Sequence, residues 1–581
     1  MSTARGTALV FLSYVLVAAA FTWPTASFAL NSFPTRHFDL MPSVWLIHAA
    51  PETFPELVYE KSLWPNGELL ARLDSYVLLA LSWINHGLLD GLLLSKLFIL
   101  LGPALSALAA ERCAARGFDV PRPWSWIAGI VYGFSGVLAS AVLEGQVYSL
   151  LNPWLPLLLW ASRRGCGPRG RFVHGLAGGA CWALAHLTSA YFGALGILIL
   201  AIEAFRGVFA ERSLKRVVVY AAGVALLAIP AGLFQLWLFS FGGLKTEPTI
   251  GDLVAGSITL GELLAWTDAA DVGYHSVSAP LHWTAFWLMM MAPIILRNRS
   301  GWRVMMTVAV ACILLSFGPL LRVTRHSPAM ASPLRGWMAI PGATFFRFPY
   351  RLMWLCSLCT GVVAAQAAAA VAQSGVRKRW VAIAFPMSLI DTLVVVGLPA
   401  RMRDAIAEVP DVYDAIPPGV AVLDAYSGKI DIAIARESES AGDAFLWQRS
   451  LTCYYQAYHG HPTPAQCIGT FLEDPRSALQ DDVLGLAFAA ADHSSEDAAE
   501  RIPKLLRDAE VGALALHLEF LRPMDREVAL EGLTLALGPP AAESVNGGEH
   551  IALFLVPADP GANRGDAVLK QETTPPAAAR E

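Results

Sequence analysis

The residues best suited to chemistry in this chain are ionisable side chains that border apolar segments. Asp39 lies within Thr35–Leu40, directly after the apolar stretch Leu9–Leu30. The loop that follows, from Met41 to Asp74, is long and rich in aromatic and charged residues. A carboxylate in this place can act as a general base, or it can be a solvated loop residue. Asp39 is therefore the leading candidate for a catalytic residue.

Arg347 and Arg351 are two cations that precede a later apolar segment and could bind an anion. They are four residues apart in Phe345–Arg351, so within one helix they would share a face. The planar guanidinium suits phosphate because it donates two hydrogen bonds at once. The pattern predicts a substrate phosphate at these arginines, with lipid headgroups or a loop acid as the alternative partners.

Glu144 and Gln146 lie in a tight turn between two apolar segments. The turn is so short that both side chains must lie close to the membrane. An acid in that position is costly unless it is paired or faces a water-filled cavity. Glu144 and Gln146 are therefore candidate substrate-binding residues, on a second polar wall of the cavity that contains Asp39. The alternative is a solvated acid at the tip of a hairpin.

The long loop also contains aromatic and turn-forming residues. Trp45, Trp64 and Trp83 could form an interfacial belt or stack on the apolar faces of sugar rings. The Pro-Asn-Gly segment 65–67 is typical of a tight turn. Trp64 and Asn66 are thus further candidate substrate-binding residues.

Asp268 and Asp271 are weak candidates for metal ligands. Two carboxylates three residues apart, with His275 nearby, could bind a hard divalent cation. Their spacing is loose and the surrounding loop is ordinary. The sequence therefore predicts no metal site and no cofactor, with a divalent cation as the weaker alternative.

The composition is that of an integral membrane protein. Hydrophobic residues make up 55% of the 581 and charged residues only 15%, whereas soluble domains have about 25% charged residues. The mean hydropathy is +0.49. About eleven stretches approach the ~20 residues that cross the hydrocarbon. They are 9–30, 92–112, 124–143, 146–161, 172–187, 188–205, 217–241, 281–296, 303–321, 350–373 and 380–399.

The basic residues of the loops predict an orientation. With a cytoplasmic N-terminus, Lys and Arg gather in the cytoplasmic loops, as the positive-inside rule requires. Acids in those loops are few, namely Glu111, Asp119, Glu203 and Glu211. An odd number of spans then places the chain after Ala400 on the outer side, together with the long first loop, 31–74.

The chain after residue 399 has a different composition. Residues 400–581 contain 14 basic and 29 acidic side chains, a net charge of −15, whereas the first 399 residues carry +10. Residues 1–399 are therefore predicted to form the transmembrane domain and residues 400–556 a soluble α/β domain. Its strands are predicted at 420–423, 430–434, 511–516 and 550–556, and its helices at 478–490 and 496–508. The segment 557–581 is predicted to be disordered. Whether Cys453 and Cys467 form a disulfide stays open.

The order of these motifs resembles the GT-C superfamily of polytopic glycosyltransferases, which includes the protein O-mannosyltransferase and aminoarabinose transferase families. It resembles their less characterised bacterial membrane relatives more closely. No single motif is specific, but their order is. The shared features are Asp39, the turn 64–67, and the segments 131–136, 145–156, 315–319, 346–351 and 454–462.

The resemblance implies a mainly α, polytopic protein of the bacterial inner membrane, with about eleven transmembrane helices and a soluble C-terminal α/β domain. It also implies an enzyme that moves a sugar from a polyprenyl-phosphate donor to an extracytoplasmic glycan, lipid or protein acceptor. Arg347 or Arg351 would neutralise the leaving phosphate. Asp39 would be the base while the acceptor hydroxyl attacks, which inverts the anomeric centre. Membrane lipids are further partners, and nucleic acid is not one.

Two other functions are compatible with the sequence. A single acid at Asp39, where the mannosyltransferases have a pair, would suit a non-catalytic scaffold in envelope glycan assembly. Position 146 is Gln, where close relatives often have histidine. A lipid or glycan transporter is the third alternative. Transporter sites usually lie near the middle of the membrane, and Asp391 is the main acid there.

Overall fold

The computed structural model shows a bundle of membrane helices with a smaller domain of helices and sheet at one end. It describes residues 3–23, 32–33, 40–53, 58–59, 68–69, 75–143, 145–242, 257–264, 281–297, 301–324, 328, 330–331, 349–373, 378–395, 405–406, 409–425, 455–456, 458–463, 475–495, 497–521, 523–546 and 549–558.

Each of the eleven predicted membrane stretches contains a helix. The first half of the chain forms α1 (Thr3–Phe21), α2 (Leu40–Ala49), α3 (Tyr76–Asn85), α4 (Gly91–Gly117), α5 (Ser125–Gly133), α6 (Gly136–Leu143), α7 (Val147–Leu150), α8 (Trp154–Gly165), α9 (Phe172–Thr188), α10 (Ala190–Phe209) and α11 (Leu214–Gly242). The membrane part continues with α12 (Leu260–Leu263), α13 (Trp283–Ile295), α14 (Trp302–Ser316), α15 (Met353–Gln373) and α16 (Lys378–Ile390).

Five helical segments among the described residues are long and apolar enough to cross a membrane. They are Gly91–Gly117, Ser125–Val142, Ala190–Phe209, Leu214–Trp237 and Pro349–Gln373. Four further apolar helices are shorter. The chain is thus a multi-pass membrane protein, while the predicted total of eleven crossings is not confirmed.

Helices α5 and α15 form the centre of the bundle. Helix α5 packs against α4 and α15, and α15 also packs against α13 and α14. These two helices are buried along nearly their whole length, whereas α11 exposes most of its apolar surface. A helix that is apolar all round is stable only inside a core or against lipid, and both cases occur here.

The acids predicted at the cytoplasmic loops are ion-pair partners of the arginines around them. Glu203 is fully buried and lies 2.5 Å from Arg206 Nε and 3.2 Å from Arg163 Nη1. Glu111 is also fully buried and pairs with Arg112 and Arg122. Arg163 Nε also donates to the carbonyl of Gly117, at the end of α4, at 3.3 Å. The ends of α4, α8 and α10 thus form one charged face, which we call the arginine-rich face.

At the opposite ends of the helices, the short helix α7 is fixed on α4 by close backbone contact. A Cβ atom on Gly102 would lie only 2.8 Å from the carbonyl oxygen of Leu150. Ser106 Oγ lies 3.4 Å from the same oxygen and accepts a hydrogen bond from the amide of Asn152 at 3.2 Å. The hydroxyl of Tyr132 donates to the Asn152 carbonyl at 3.0 Å. Helix α7 therefore has one defined position above α4.

The C-terminal part forms a four-stranded sheet with three helices. The strands are β7 (Val422–Ala425), β8 (Ala513–His517), β9 (Ala542–Asn546) and β10 (Glu549–Leu555), in the order β7-β8-β10-β9. Strand β7 is parallel to β8 and the other pairs are antiparallel. The helices are α17 (Pro475–Ala491), α18 (Ala498–Asp508) and α19 (Pro523–Leu537). The predicted strands at 420–423, 511–516 and 550–556 and both predicted helices are confirmed, whereas 430–434 lies outside the described residues and β9 and α19 were not predicted.

Both faces of this sheet are buried, by different partners. On one face, Leu514, Leu516 and Phe554 pack with the three helices of the domain. On the other, alternate residues such as Ala513 and Ile551 belong to an apolar cluster that includes residues of the membrane part, namely Val44, Leu92 and Val147. We call this side of the helix bundle the domain face.

Short strands complete the fold. Strand β1 (Ser32–Phe33) pairs with β6 (Ala405–Ile406) in antiparallel register, β2 (Val58–Tyr59) pairs with β3 (Glu68–Leu69), and β4 (Leu320–Leu321) pairs with β5 (Met330–Ala331). The pairing of β1 with β6 joins the beginning of the long first loop to the segment that leads into the C-terminal part.

Replacing Gly102 by alanine should destabilise the protein by about 1–3 kcal/mol, because the new methyl group overlaps the Leu150 backbone and α7 must move. The measurement is thermal unfolding of the detergent-solubilised protein. Gly232→Ala is the matched control, since its nearest neighbour would be 3.9 Å away and the helix gains from losing a glycine. Equal stability of the two variants would contradict the assigned contact.

Candidate active site

Two of the predicted site residues are described, and the structure brings them together. Gln146 and Arg351 are both buried at the domain face, with 5% and 8% of their surfaces exposed. The others lie outside the described residues, namely Asp39, Trp64, Asn66, Glu144, Asp268, Asp271 and Arg347. Cys453 and Cys467 lie outside them as well.

Arg351 is positioned by the break before α15. Residues Pro349–Leu352 form a turn of 3-10 helix that leads into α15, where proline is tolerated because the first turn of a helix has no intrahelical partner for its N–H. The guanidinium lies 4.1 Å from the ring centre of Tyr191, within the range of a cation–π interaction. It also lies 5.9 Å from the ring centre of Tyr350. A planar cation is thus held against aromatic rings at the end of a membrane helix.

Gln146 is positioned by the turn between α6 and α7. Gly145 has a φ of +66°, a left-handed conformation that glycine adopts without strain, and the amide of Gln146 donates to the Ala141 carbonyl at 2.9 Å. This turn directs the side chain inward. Its Oε1 is 3.4 Å from Arg351 Nη2 and 3.5 Å from Ser149 Oγ. The structure thus brings the hairpin residue Gln146 into contact with Arg351.

The contacts of Arg351 with these neighbours suit the recognition of an anion. Its hydrogen bond to Gln146 is at the weak end of the usual range. Its contact with the Tyr191 ring is of the cation–π type. Fixed N–H groups in a buried place bind an anion more strongly than the same groups in water. The arrangement is suited to phosphate binding close to the membrane surface.

Lys96 is a further candidate, and it was not predicted. It lies on α4, on the N-terminal side of Gly102, and only 1% of its surface is exposed. A lysine within an apolar membrane helix is a functional hypothesis by default because burying its charge is costly. The signal was present in the sequence as a cation inside the stretch 92–112.

Two other residues have surroundings that differ from the predicted ones. Trp45 is fully buried and its Nε1 donates to Gln456 Oε1 at 2.7 Å, so it neither stacks on sugar nor forms an interfacial belt. Asp391 accepts a hydrogen bond from the amide of Thr284 at 2.6 Å, in the first turn of α13. A carboxylate is stabilised there by the helix dipole, which gives Asp391 a structural role.

The structure offers no metal site among its described residues. No group of three or more His, Cys, Asp or Glu side chains in those ranges could hold an ion. Asp268 and Asp271 are not among them, so the weak prediction of a divalent cation stays untested.

Comparison with solved structures shows that an arabinofuranosyltransferase shares this architecture. The arabinofuranosyltransferase AftD from mycobacteria matches with a TM-score of 0.58 and 16% sequence identity, over 96% of this chain and 40% of that chain. A mutant of AftD gives a TM-score of 0.60 with 16% identity, over 96% and 42%. The oligosaccharyltransferase AglB from Archaeoglobus fulgidus gives 0.49 with 13% identity, over 94% and 74%, a score that does not establish a common fold.

No protein-family model and no curated protein sequence matches the chain. It spans about two fifths of the length of AftD. Identities this low speak for the fold and not for the reaction. The comparison agrees with the resemblance that the order of motifs indicated at the level of the fold, which this chain shares with AftD.

Proposed function

We propose that this protein transfers a sugar from a polyprenyl-phosphate donor to an acceptor hydroxyl in the cell envelope, on the outer side of the bacterial inner membrane. The observation that carries the proposal is the buried pair of Arg351 and Gln146 at the domain face of a GT-C-like bundle. A phosphate attached to a membrane-embedded chain must lie at this depth, where its charge needs a fixed partner. AftD, which shares the fold, is an arabinofuranosyltransferase.

The reaction needs a base and a stabilised leaving group. Asp39 takes the proton of the acceptor hydroxyl as the oxygen attacks the anomeric carbon, and the bond from that carbon to the phosphate oxygen breaks. Arg351, with Arg347, stabilises the charge that develops on the departing phosphate. No acid is needed at the leaving group, because a phosphate departs without protonation, and one carboxylate is therefore sufficient. Direct displacement inverts the anomeric centre.

The local structure supports Asp39 in this role. The residue directly precedes α2, whose Val44 belongs to the same apolar cluster as Val147. Val147 follows Gln146, which contacts Arg351. The segments that adjoin the proposed base and the proposed phosphate site therefore converge on one cluster. Trp64, Asn66 and Glu144 complete the proposed substrate-binding set.

Replacing Asp39 by asparagine should lower transfer by about 10²–10⁴-fold, since this is what a positioned general base contributes. The measurement is transfer from a radiolabelled polyprenyl-phosphate sugar to envelope acceptors in membranes. Glu52→Gln is the matched control, because Glu52 is an exposed acid in the same loop and should leave transfer unchanged. Full transfer by the Asp39 variant would contradict the assignment of the base.

Replacing Arg351 by lysine should weaken the binding of a polyprenyl phosphate by about 10- to 100-fold. Lysine keeps the charge but loses the planar fork, and one hydrogen bond to a charged group contributes about 1.5–3 kcal/mol. Binding is measured by titration of the purified protein.

The control for this variant is Arg212→Lys, which changes an exposed arginine at the opposite, arginine-rich face and should leave the affinity as it is. An unchanged affinity in the Arg351 variant would remove this residue from the phosphate site. A wild-type protein that binds polyprenyl phosphate but transfers no sugar from any donor would favour the scaffold, and movement of the lipid across the membrane would favour the transporter.

A further inference from the structure

Described residues on either side of Asp39 contact residues that follow position 400. Before it, Ser32 and Phe33 pair with Ile406 and Ala405 in a short antiparallel ladder. After it, α2 begins at Leu40 and is joined to the C-terminal domain through Trp45. In the sequence, residues 34–39, which include Asp39, lie between these two contacts.

The contact of α2 with the C-terminal domain is buried and specific. Trp45 and Gln456 are both fully buried, and the indole Nε1 donates to Gln456 Oε1 at 2.7 Å. A buried polar group is tolerated when it has such a partner. Removing one partner leaves the other buried and unpaired, and the free-energy cost exceeds the net stabilisation from an ordinary hydrogen bond. This hydrogen bond therefore fixes the rotation of α2 as well as its distance from the domain.

A second contact joins the C-terminal domain to α2 and to the beginning of α4. Tyr458 donates to Asp90 Oδ2 at 2.8 Å and its ring lies 4.8 Å from the ring of His48 on α2. Asp90 in turn caps α4, with its Oδ1 accepting from the amides of Leu92 and Leu93. One short segment of the C-terminal domain, 455–459, thus contacts both α2 and the beginning of α4.

That segment is anchored inside its own domain by a buried ionic group. The ring of Tyr455 stacks on His517 at 6.3 Å with an interplanar angle of 3°. His517 Nε2 is 3.2 Å from Asp424 Oδ1, and His517 Nδ1 is at an ion-pair distance of 3.4 Å from Glu519. Tyr413 donates to the same Asp424 oxygen at 2.5 Å.

The charges of this group favour a protonated histidine at neutral pH. Burial lowers the pKa of His517, but the hydrogen bonds and charges of Asp424 and Glu519 outweigh it and raise the pKa to about 9. Burial alone would raise the pKa of Asp424, but the bonds from His517 and Tyr413 outweigh it and lower that pKa. Tyr455 is therefore stacked on a charged cluster in which His517 and Asp424 are fully buried, and this leaves Tyr455 little freedom.

We propose that the C-terminal domain sets the position of Asp39 for the transfer reaction, and that Gln456 is the positioning residue that carries this effect through Trp45 and α2. The inference rests on the proposed function, because it assumes that Asp39 acts in transfer. Gln456 itself does not touch the reacting atoms. Its role is to hold the helix that follows the base.

The test compares Gln456→Leu with the wild-type full-length protein. The variant should lower kcat by about 10- to 100-fold, since a displacement of ~1 Å at the reacting groups has an effect of this order. The KM for the polyprenyl-phosphate donor should change by less than about twofold, because the contact of Arg351 with Gln146 is separate. Amide hydrogen exchange should rise in residues 40–49.

Ser544→Ala is the matched control. It removes a side-chain hydrogen bond of the same domain, from Ser544 to Asp411 at 2.7 Å, that does not touch α2. It should leave kcat and exchange in residues 40–49 unchanged. If Ser544→Ala lowered kcat as much as Gln456→Leu does, then any loosening of the domain would be enough to impair transfer. That result would overturn the specific role of Gln456.

Trp45→Phe probes the same bond from the other side and leaves the C-terminal domain intact, so it serves if Gln456→Leu does not fold. It should lower kcat in the same way, and the variant with both changes should be less impaired than the two effects combined, since both partners are then apolar. Additive effects of the two changes would contradict the inference.

Hydrogen exchange separates this inference from the proposed function. Unchanged kcat and unchanged exchange in Gln456→Leu, with normal transfer by the wild type, would overturn the inference and leave the proposed function standing. Raised exchange in residues 40–49 of the variant, in a protein whose wild type transfers no sugar, would support the contact and contradict the proposed function.

Discussion

Every charge that this chain places within its membrane part must be stabilised inside the protein, and this constraint decides where chemistry is possible. Hydrocarbon offers no hydrogen bonds, so an unpaired ion or backbone group there is costly. At the arginine-rich face the requirement is met by ion pairs, in which Glu203 contacts both Arg163 and Arg206. These charges pair with one another and hold the helix ends together, so the arginine-rich face has a structural role.

At the domain face, neutral groups are among the partners of a buried cation. Arg351 lies 4.1 Å from the ring centre of Tyr191 and 3.4 Å from the amide oxygen of Gln146. Both residues stand where helices are interrupted, Gln146 after the left-handed Gly145 and Arg351 in the turn before α15. Such interruptions let buried polar side chains gather at the end of a bundle. A buried arginine at the end of the bundle is in keeping with the proposed phosphate site.

The sequence predicted the helices well because membrane helices depend above all on one effect, the transfer of apolar side chains out of water. Long runs such as 92–112 and 217–241 therefore coincide with α4 and α11. The predicted topology puts Gln146 and Arg351 at the same surface, but the sequence did not predict their contact. The contact of Trp45 was not predictable, because an aromatic residue in a loop has the same sequence signature whether it faces lipid, sugar or a distant amide. Its partner, Gln456, is 411 positions away, and nothing local encodes that contact.

The apolar pattern of the strands in the C-terminal domain indicates that both faces of their sheet are covered, which the composition of the domain alone does not. An antiparallel sheet with one solvated face alternates apolar and polar residues, whereas a sheet covered on both faces has continuous apolar strands. Strand β8 consists of Ala513, Leu514, Ala515 and Leu516 before His517, and β10 is similarly apolar. Three helices cover one face, and the membrane part contributes to the cover of the other through Val44, Leu92 and Val147. Separating the two parts would expose that apolar face to water. For this reason the domain is a layer of the same structure as the bundle, and α2 is enclosed between them.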